Sequence, residues 1–107
     1  MVVTNAVTGA QIAKVAIGEG PDAAAYDAKQ GLVFSSNGEG SLSIVKQESK
    51  DSYKPIATVQ TRRGARTMAL DTVKGEIYVV SPDYAPAQGN ARPAGLPGTF
   101  TVLKLSP

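Results

Sequence analysis

The chain has 107 residues, 42% of them hydrophobic, which suits one small domain or part of a larger one. Its 11 Lys and Arg against 9 Asp and Glu leave a net charge of +2, too little for a general pull toward nucleic acid or membrane. With no Cys and no His, it cannot build a disulfide, a thiol nucleophile, an imidazole base or a Cys/His zinc site from its own residues, and no run is apolar enough to span a bilayer.

In chain order, Met1-Val-Val-Thr-Asn5 lacks the basic and apolar regions of a signal peptide and reads as an internal start, part-way along a strand. Residues 1–9 are expected to be the outer strand of a preceding sheet. Ile12-Ala-Lys-Val15 is a second short apolar run. Gly20-Pro-Asp-Ala-Ala-Ala-Tyr-Asp27 follows; its three alanines favour helix, but the stretch is short and lies between Pro21 and a turn at Asp27, so a crowded inner strand is expected. Gly31-Leu-Val-Phe34 is the next strand, and Gly40-Ser-Leu-Ser-Ile-Val45 alternates polar and apolar residues, as a half-buried strand does. Further strands are expected at Ile56-Ala-Thr-Val59, Gly64-Ala-Arg-Thr-Met-Ala-Leu-Asp71, Glu76-Ile-Tyr-Val79 and Gly98-Thr-Phe-Thr-Val-Leu103. Between the last two, Pro82, Pro86, Pro93 and Pro97 with Gly89, Gly95 and Gly98 argue against regular structure over 81–98.

The runs repeat. Ile12–Val15 and Gly20–Asp27 align with Ile56–Val59 and Gly64–Asp71 at an offset of 44 residues, bringing Gly, Ala25/Ala69 and Asp into coincidence. Gly31–Phe34 then aligns with Glu76–Val79 one residue further apart, and Gly40–Val45 with Gly98–Leu103 after an insertion. Four short strands per repeat of about 40–45 residues is the arithmetic of a propeller blade. The expected fold is all-β: a partial β-propeller of about two four-stranded antiparallel blades plus one extra outer strand. It forms a single domain over 1–107, with 10–47 and 54–105 supplying the two blades. A small β-sandwich with accidental similarity is the alternative.

Val2-Val-Thr-Asn-Ala-Val-Thr-Gly9, Gly20–Asp27, Gly31-Leu-Val-Phe-Ser-Ser-Asn-Gly38 and Thr61-Arg-Arg-Gly-Ala-Arg-Thr-Met-Ala-Leu-Asp71 resemble the YVTN-repeat, or YncE-like, seven-bladed propellers, and the Pro-rich insertion with Pro97–Leu103 resembles their carboxyl-terminal end. The resemblance implies a periplasmic or extracellular protein with no common reaction and with more blades than this chain holds. The Tyr-Val-Thr-Asn motif itself is only approximated, by Val2–Asn5 and Phe34–Asn37. An open arc leaves two apolar faces uncovered and no polar cap is visible, so the partners expected are the remaining blades of a longer product or further copies of the chain.

Alternating strand direction puts 18–22, 36–40, 61–66 and 81–98 on one side and the turns at 27–31, 47–53 and 71–75 on the other. The first side holds every Arg of the chain, Arg62, Arg63, Arg66 and Arg92, together with Asp22, Glu39 and Asp83. Arg presents a planar fork suited to carboxylates and phosphates. Arg62, Arg63, Arg66, Asp22, Tyr84 and Arg92 are therefore candidate binding residues for an anionic small molecule, peptide or polymer, with 81–98 a possible lid over them. Pairing of Asp22 with Arg66, or simple solvation of these charges, is the competing reading. Three Arg in five residues is weak evidence for nucleic acid. Gly18-Glu-Gly20 and Gly38-Glu-Gly40 open no helix and read as turns, the carboxylates lack Ca²⁺-loop spacing, and Ser35, Ser36 and Ser43 have no base. The reading is a non-enzymatic binding or scaffold module with no catalytic residue, metal or cofactor of its own. The alternative is the terminal part of a lactonase-like or quinoprotein-dehydrogenase-like propeller whose reactive groups lie outside this chain.

Overall fold

A computed structural model describes residues 1–87, 89–90 and 92–107. Its described residues form nine strands in three antiparallel sheets, none closed into a barrel. An N-terminal sheet pairs β1 (Val2–Thr4) with β2 (Gln11–Lys14). A central sheet runs in the order β3 (Pro21–Asp27), β4 (Leu32–Asn37), β5 (Ser41–Ser49) and β6 (Ser52–Gln60). A C-terminal sheet runs β7 (Thr67–Asp71), β8 (Glu76–Ser81) and β9 (Thr101–Leu105). From one sheet to the next, β3 lies beside β7 and β2 beside β6, so like strands neighbour like strands. These are partial propeller blades; the nine strands divide two, four and three, where one, four and four were expected.

The division follows from the connections. The connections over 15–20 and 61–66, after β2 and β6, cross to the next sheet, and every other connection joins strands that pair. The sequence repeat is therefore out of phase with the sheets by one strand, and each copy begins on an outer strand. Register shows how strict the repeat is. In β5–β6 the ladder steps from Ile44↔Ala57 to Val45↔Pro55, bulging at Ile56. In β1–β2 it steps from Val3↔Ala13 to Thr4↔Gln11, bulging at Ile12, the residue equivalent to Ile56. β1 thus stands in the place of β5, and the N-terminal sheet is the outer half of a blade.

Register also corrects two alignments. Asp27 pairs with Leu32 and Asp71 with Glu76, so the 44-residue offset holds through both hairpins and Leu32, not Gly31, is the counterpart of Glu76. Asn37↔Ser41 matches Ser81↔Thr101, so the last strand is displaced two residues from the expected match, an even shift that keeps each side chain on its face. Both errors came from aligning apolar residues by type; only the first, a one-residue slip, puts side chains on the wrong face.

The hairpin turns explain why Asp and Gly recur. Asp27 Oδ1 accepts the backbone N–H groups of Lys29 (3.0 Å) and Gln30 (3.3 Å), and Asp71 Oδ1 those of Val73 (2.9 Å) and Lys74 (3.2 Å). The turns close at Gly31 and Gly75, at φ of 64° and 71°, where a side chain would be strained. Bonding to the ionised form holds both carboxyls below the ordinary aspartate range. For Asp27 the chief cause is the Gln30 side-chain amide, and for Asp71 the backbone N–H groups of Lys74 and Val73.

The core lies between the central and C-terminal sheets. Phe34, Leu42, Ala65, Ile77 and Val79 are buried there, flanked by Leu32, Ile44, Val59, Met68, Leu70, Leu103 and Leu105. Each fully buried large side chain stabilises the packing by about 1.5–3 kcal/mol. The opposite face of the C-terminal sheet differs. Where the central sheet carries Leu32, Phe34 and Ile44, the equivalent positions hold Glu76, Tyr78 and Lys104. The Tyr78 hydroxyl donates to Glu76 Oε2 (2.6 Å), and Lys104 Nζ lies 3.7 Å from Glu76 Oε1. That bond lowers the Glu76 carboxyl and raises the Tyr78 hydroxyl from their usual ranges. This face therefore carries a polar cluster that the apolar pattern of β8 and β9 concealed, while Val102 beside it is 57% exposed.

Candidate functional site: an arginine-lined cleft

The crossover from β6 to β7 is held from both sides. Gly64 N–H donates to Gly38 O (2.8 Å), Ser81 Oγ to Arg63 O (2.8 Å) and Ser36 Oγ to Arg66 O, while Ala65 is fully buried in the core. A turn closes with Ala65 N–H on Arg62 O (2.9 Å), and Gly64 takes φ of 80°. With Ala65 turned inward and the carbonyls of Arg63 and Arg66 engaged, these two arginines are left exposed.

The Pro-rich segment forms the opposite wall. Its described residues fold back through a Tyr84↔Gly95 bridge, with Ala85 N–H on Ala94 O (2.8 Å) and Leu96 N–H on Asp83 O (2.7 Å). Gln88 and Ala91, within the segment expected as a lid, lie outside the described residues. The edge of the Tyr84 ring lies against Gly64: a Cβ there would sit 2.5 Å from Cε2 and 2.6 Å from the hydroxyl. Glycine at 64 is thus required twice, by its backbone angle and by the ring.

Between the two walls is an open cleft of about 280 Å³, lined by Gly38, Arg63, Gly64, Arg66, Tyr84, Arg92 and Pro93. Four of the six candidate residues meet there: Arg63, Arg66, Tyr84 and Arg92. Among the described residues none of these three arginines has a carboxylate within ion-pair distance. The cleft thus concentrates unneutralised guanidinium groups beside an aromatic ring and glycine backbone, a surface able to grip a carboxylate or phosphate through charge-assisted bonds.

The other two candidates stand apart. Asp22 is exposed on β3, does not line the cleft, and forms no ion pair with Arg66. Arg62 turns away to pair with Asp83 and to donate to Thr101 Oγ1 (2.5 Å), tying the crossover to the insertion and to β9. The repeat explains this role. The equivalents of Arg62, Asp83 and Thr101 are Gly18, Glu39 and Ser41, where a Cβ on Gly18 would run into Glu39, Ser41 and Asn37. Here Ser41 Oγ donates to Glu39 (2.7 Å), Asn37 Nδ2 to both Ser41 and Ser43 (3.0 Å each), and Gly18 N–H to Ser43 Oγ (3.1 Å). One copy thus joins crossover to loop with a salt bridge and the other with a buried hydroxyl–amide network. Reading Gly18 and Arg62 as equivalent, from the 44-residue offset, would have separated Arg62 from the cleft arginines.

Sequence reasoning missed Gly38, Gly64 and Pro93 as cleft residues. The glycines carry no chemistry of their own and matter only because they let the insertion approach the crossover. Among the described residues no three carboxylates gather as a metal-ligand set. The chain matches no family model, no curated protein and no solved structure.

Proposed function

We propose that the chain is a non-enzymatic binding or scaffold module of the YVTN-repeat propeller type, and that its cleft seats an anionic group. One observation carries this reading: Arg63, Arg66 and Arg92 converge on one cleft without a carboxylate partner among the described residues. Like charges held together repel, so an arrangement of this kind is relieved by an anion. The cleft volume suits a single phosphate or a small polycarboxylate, or one acidic group of a larger peptide or polymer. Tyr84 offers its ring edge and hydroxyl as a side wall.

Isothermal titration at low salt with inorganic phosphate and with citrate tests the proposal. Each charge-assisted hydrogen bond contributes about 1.5–3 kcal/mol, so Arg66→Ala should weaken binding by roughly tenfold or more. Lys50→Ala, an exposed charge on the β5–β6 turn, should change it little. Unchanged binding by the triple variant Arg63→Ala, Arg66→Ala, Arg92→Ala would remove the anion seat.

A further inference from the structure

The arginine cleft does not end at Tyr84. A second open cleft of about 400 Å³ lies among Arg62, Pro82, Asp83, Ala85 and Pro86, and Arg63 and Tyr84 line it together with the first. We propose, on the footing of the anion seat argued above, that its ligand is a sugar phosphate: the phosphate lies among Arg63, Arg66 and Arg92, and the sugar ring occupies the second cleft.

The two clefts differ in charge. In the first, Arg63, Arg66 and Arg92 have no carboxylate partner among the described residues. In the second, Arg62 is already paired with Asp83, which meets it through Oδ1. The Asp83 side chain remains 50% exposed, so Oδ2 can still accept hydrogen bonds. A second anionic group on the ligand would meet this carboxylate. A cationic group would meet the unpaired Arg63. A neutral group carrying hydroxyls suits both, since a hydroxyl can donate to a carboxylate and accept from a guanidinium.

The remaining lining is apolar: Pro82, Ala85, Pro86 and the ring of Tyr84, which is 37% exposed. Apolar walls with a few placed polar groups are the usual make-up of a small-ligand site. A sugar ring matches it, because it presents C–H faces as well as hydroxyls. A wholly apolar ring would cover the Arg62–Asp83 pair without replacing its contacts with water. The wall is also held in place by its backbone. Asp83 N–H donates to Thr99 Oγ1 (2.8 Å), its carbonyl accepts Leu96 N–H (2.7 Å), and Ala85 N–H donates to Ala94 O (2.8 Å). At about 280 and 400 Å³ the adjoining clefts reach the range of roughly 300–1,000 Å³ in which small ligands bind, more than an inorganic phosphate needs.

Isothermal titration at low salt compares inorganic phosphate, phenyl phosphate and glucose 6-phosphate near pH 8, where all three are mainly dianions. Glucose 6-phosphate should bind about tenfold tighter than inorganic phosphate, the gain from one charge-assisted hydrogen bond, and tighter than phenyl phosphate. Asp83→Asn keeps the backbone bonds of the wall and should cut that gain to less than about twofold. A second readout needs no substitution. When the aromatic protons of the protein are irradiated, saturation should reach the ring protons of the bound sugar as well as its phosphate-bearing methylene. Equal binding of glucose 6-phosphate and inorganic phosphate would overturn the sugar assignment and leave the anion seat standing. Phenyl phosphate bound as tightly as glucose 6-phosphate, a preference untouched by Asp83→Asn, or saturation confined to the methylene would overturn it as well. No binding of any of the three would remove the anion seat itself, and the sugar assignment with it.

Discussion

Replacing Gly64 by Ala tests whether the insertion is truly seated on the crossover. Two costs are expected. An L-residue at φ of 80° is strained, by about 1–2 kcal/mol. The new Cβ would also sit 2.5, 2.6 and 2.9 Å from atoms of Tyr84, well inside normal carbon contact, so the ring must move. Overpacking of this kind costs about 1–3 kcal/mol. The sum, about 2–5 kcal/mol, is a large part of the roughly 5–15 kcal/mol that stabilises a typical domain. A double-mutant cycle separates the two parts. In a Tyr84→Ala background the collision vanishes and Gly64→Ala should cost only the backbone part, leaving a coupling of about 1–3 kcal/mol. Urea unfolding followed by far-ultraviolet circular dichroism measures all four proteins. An equal cost of Gly64→Ala in both backgrounds would refute the seating of Tyr84, and with it one wall of the cleft.

Leu42→Ala removes a side chain that is 1% exposed, between the central and C-terminal sheets; it should cost about 2–5 kcal/mol in urea unfolding. The same change at Val73, 81% exposed, should cost far less, and equal costs would contradict the packing of these sheets. The turn aspartates predict an acid dependence. Because the folded-state values of Asp27 and Asp71 are lowered, the unfolded chain takes up protons first as pH falls. Their stabilisation is full above the unfolded value of about 3.9 and is lost as pH falls through the folded values. Asp27→Asn with Asp71→Asn should flatten the unfolding midpoint over that range, since an amide oxygen can accept the turn bonds without titrating; an unchanged acid slope would contradict the assignment.

The sequence disclosed strands well because each carries its own local signal: an apolar run, an alternation, or an Asp and Gly at a turn. Which strands share a sheet was harder. The 44-residue repeat begins at an outer strand, and no residue type at Ile12 or Ile56 announces that the next connection crosses between sheets. Faces were harder still, since Glu76, Tyr78 and Lys104 acquire meaning only when set against Leu32, Phe34 and Ile44 across the correct register. At the cleft, placing all arginines on one side followed from strand direction alone. Distinguishing Arg62 from Arg63 and Arg66 required knowing that Ala65 turns inward and that Asp83 lies within reach.

The most direct measurement is the response of individual arginine side chains to an anion. Nε–H resonances of ¹⁵N-labelled protein, followed during titration with inorganic phosphate, distinguish all four arginines. The account predicts saturable shifts at Arg63, Arg66 and Arg92, with Arg62 held still by Asp83 and Thr101. Shifts of equal size at all four, or none that saturates, would contradict it.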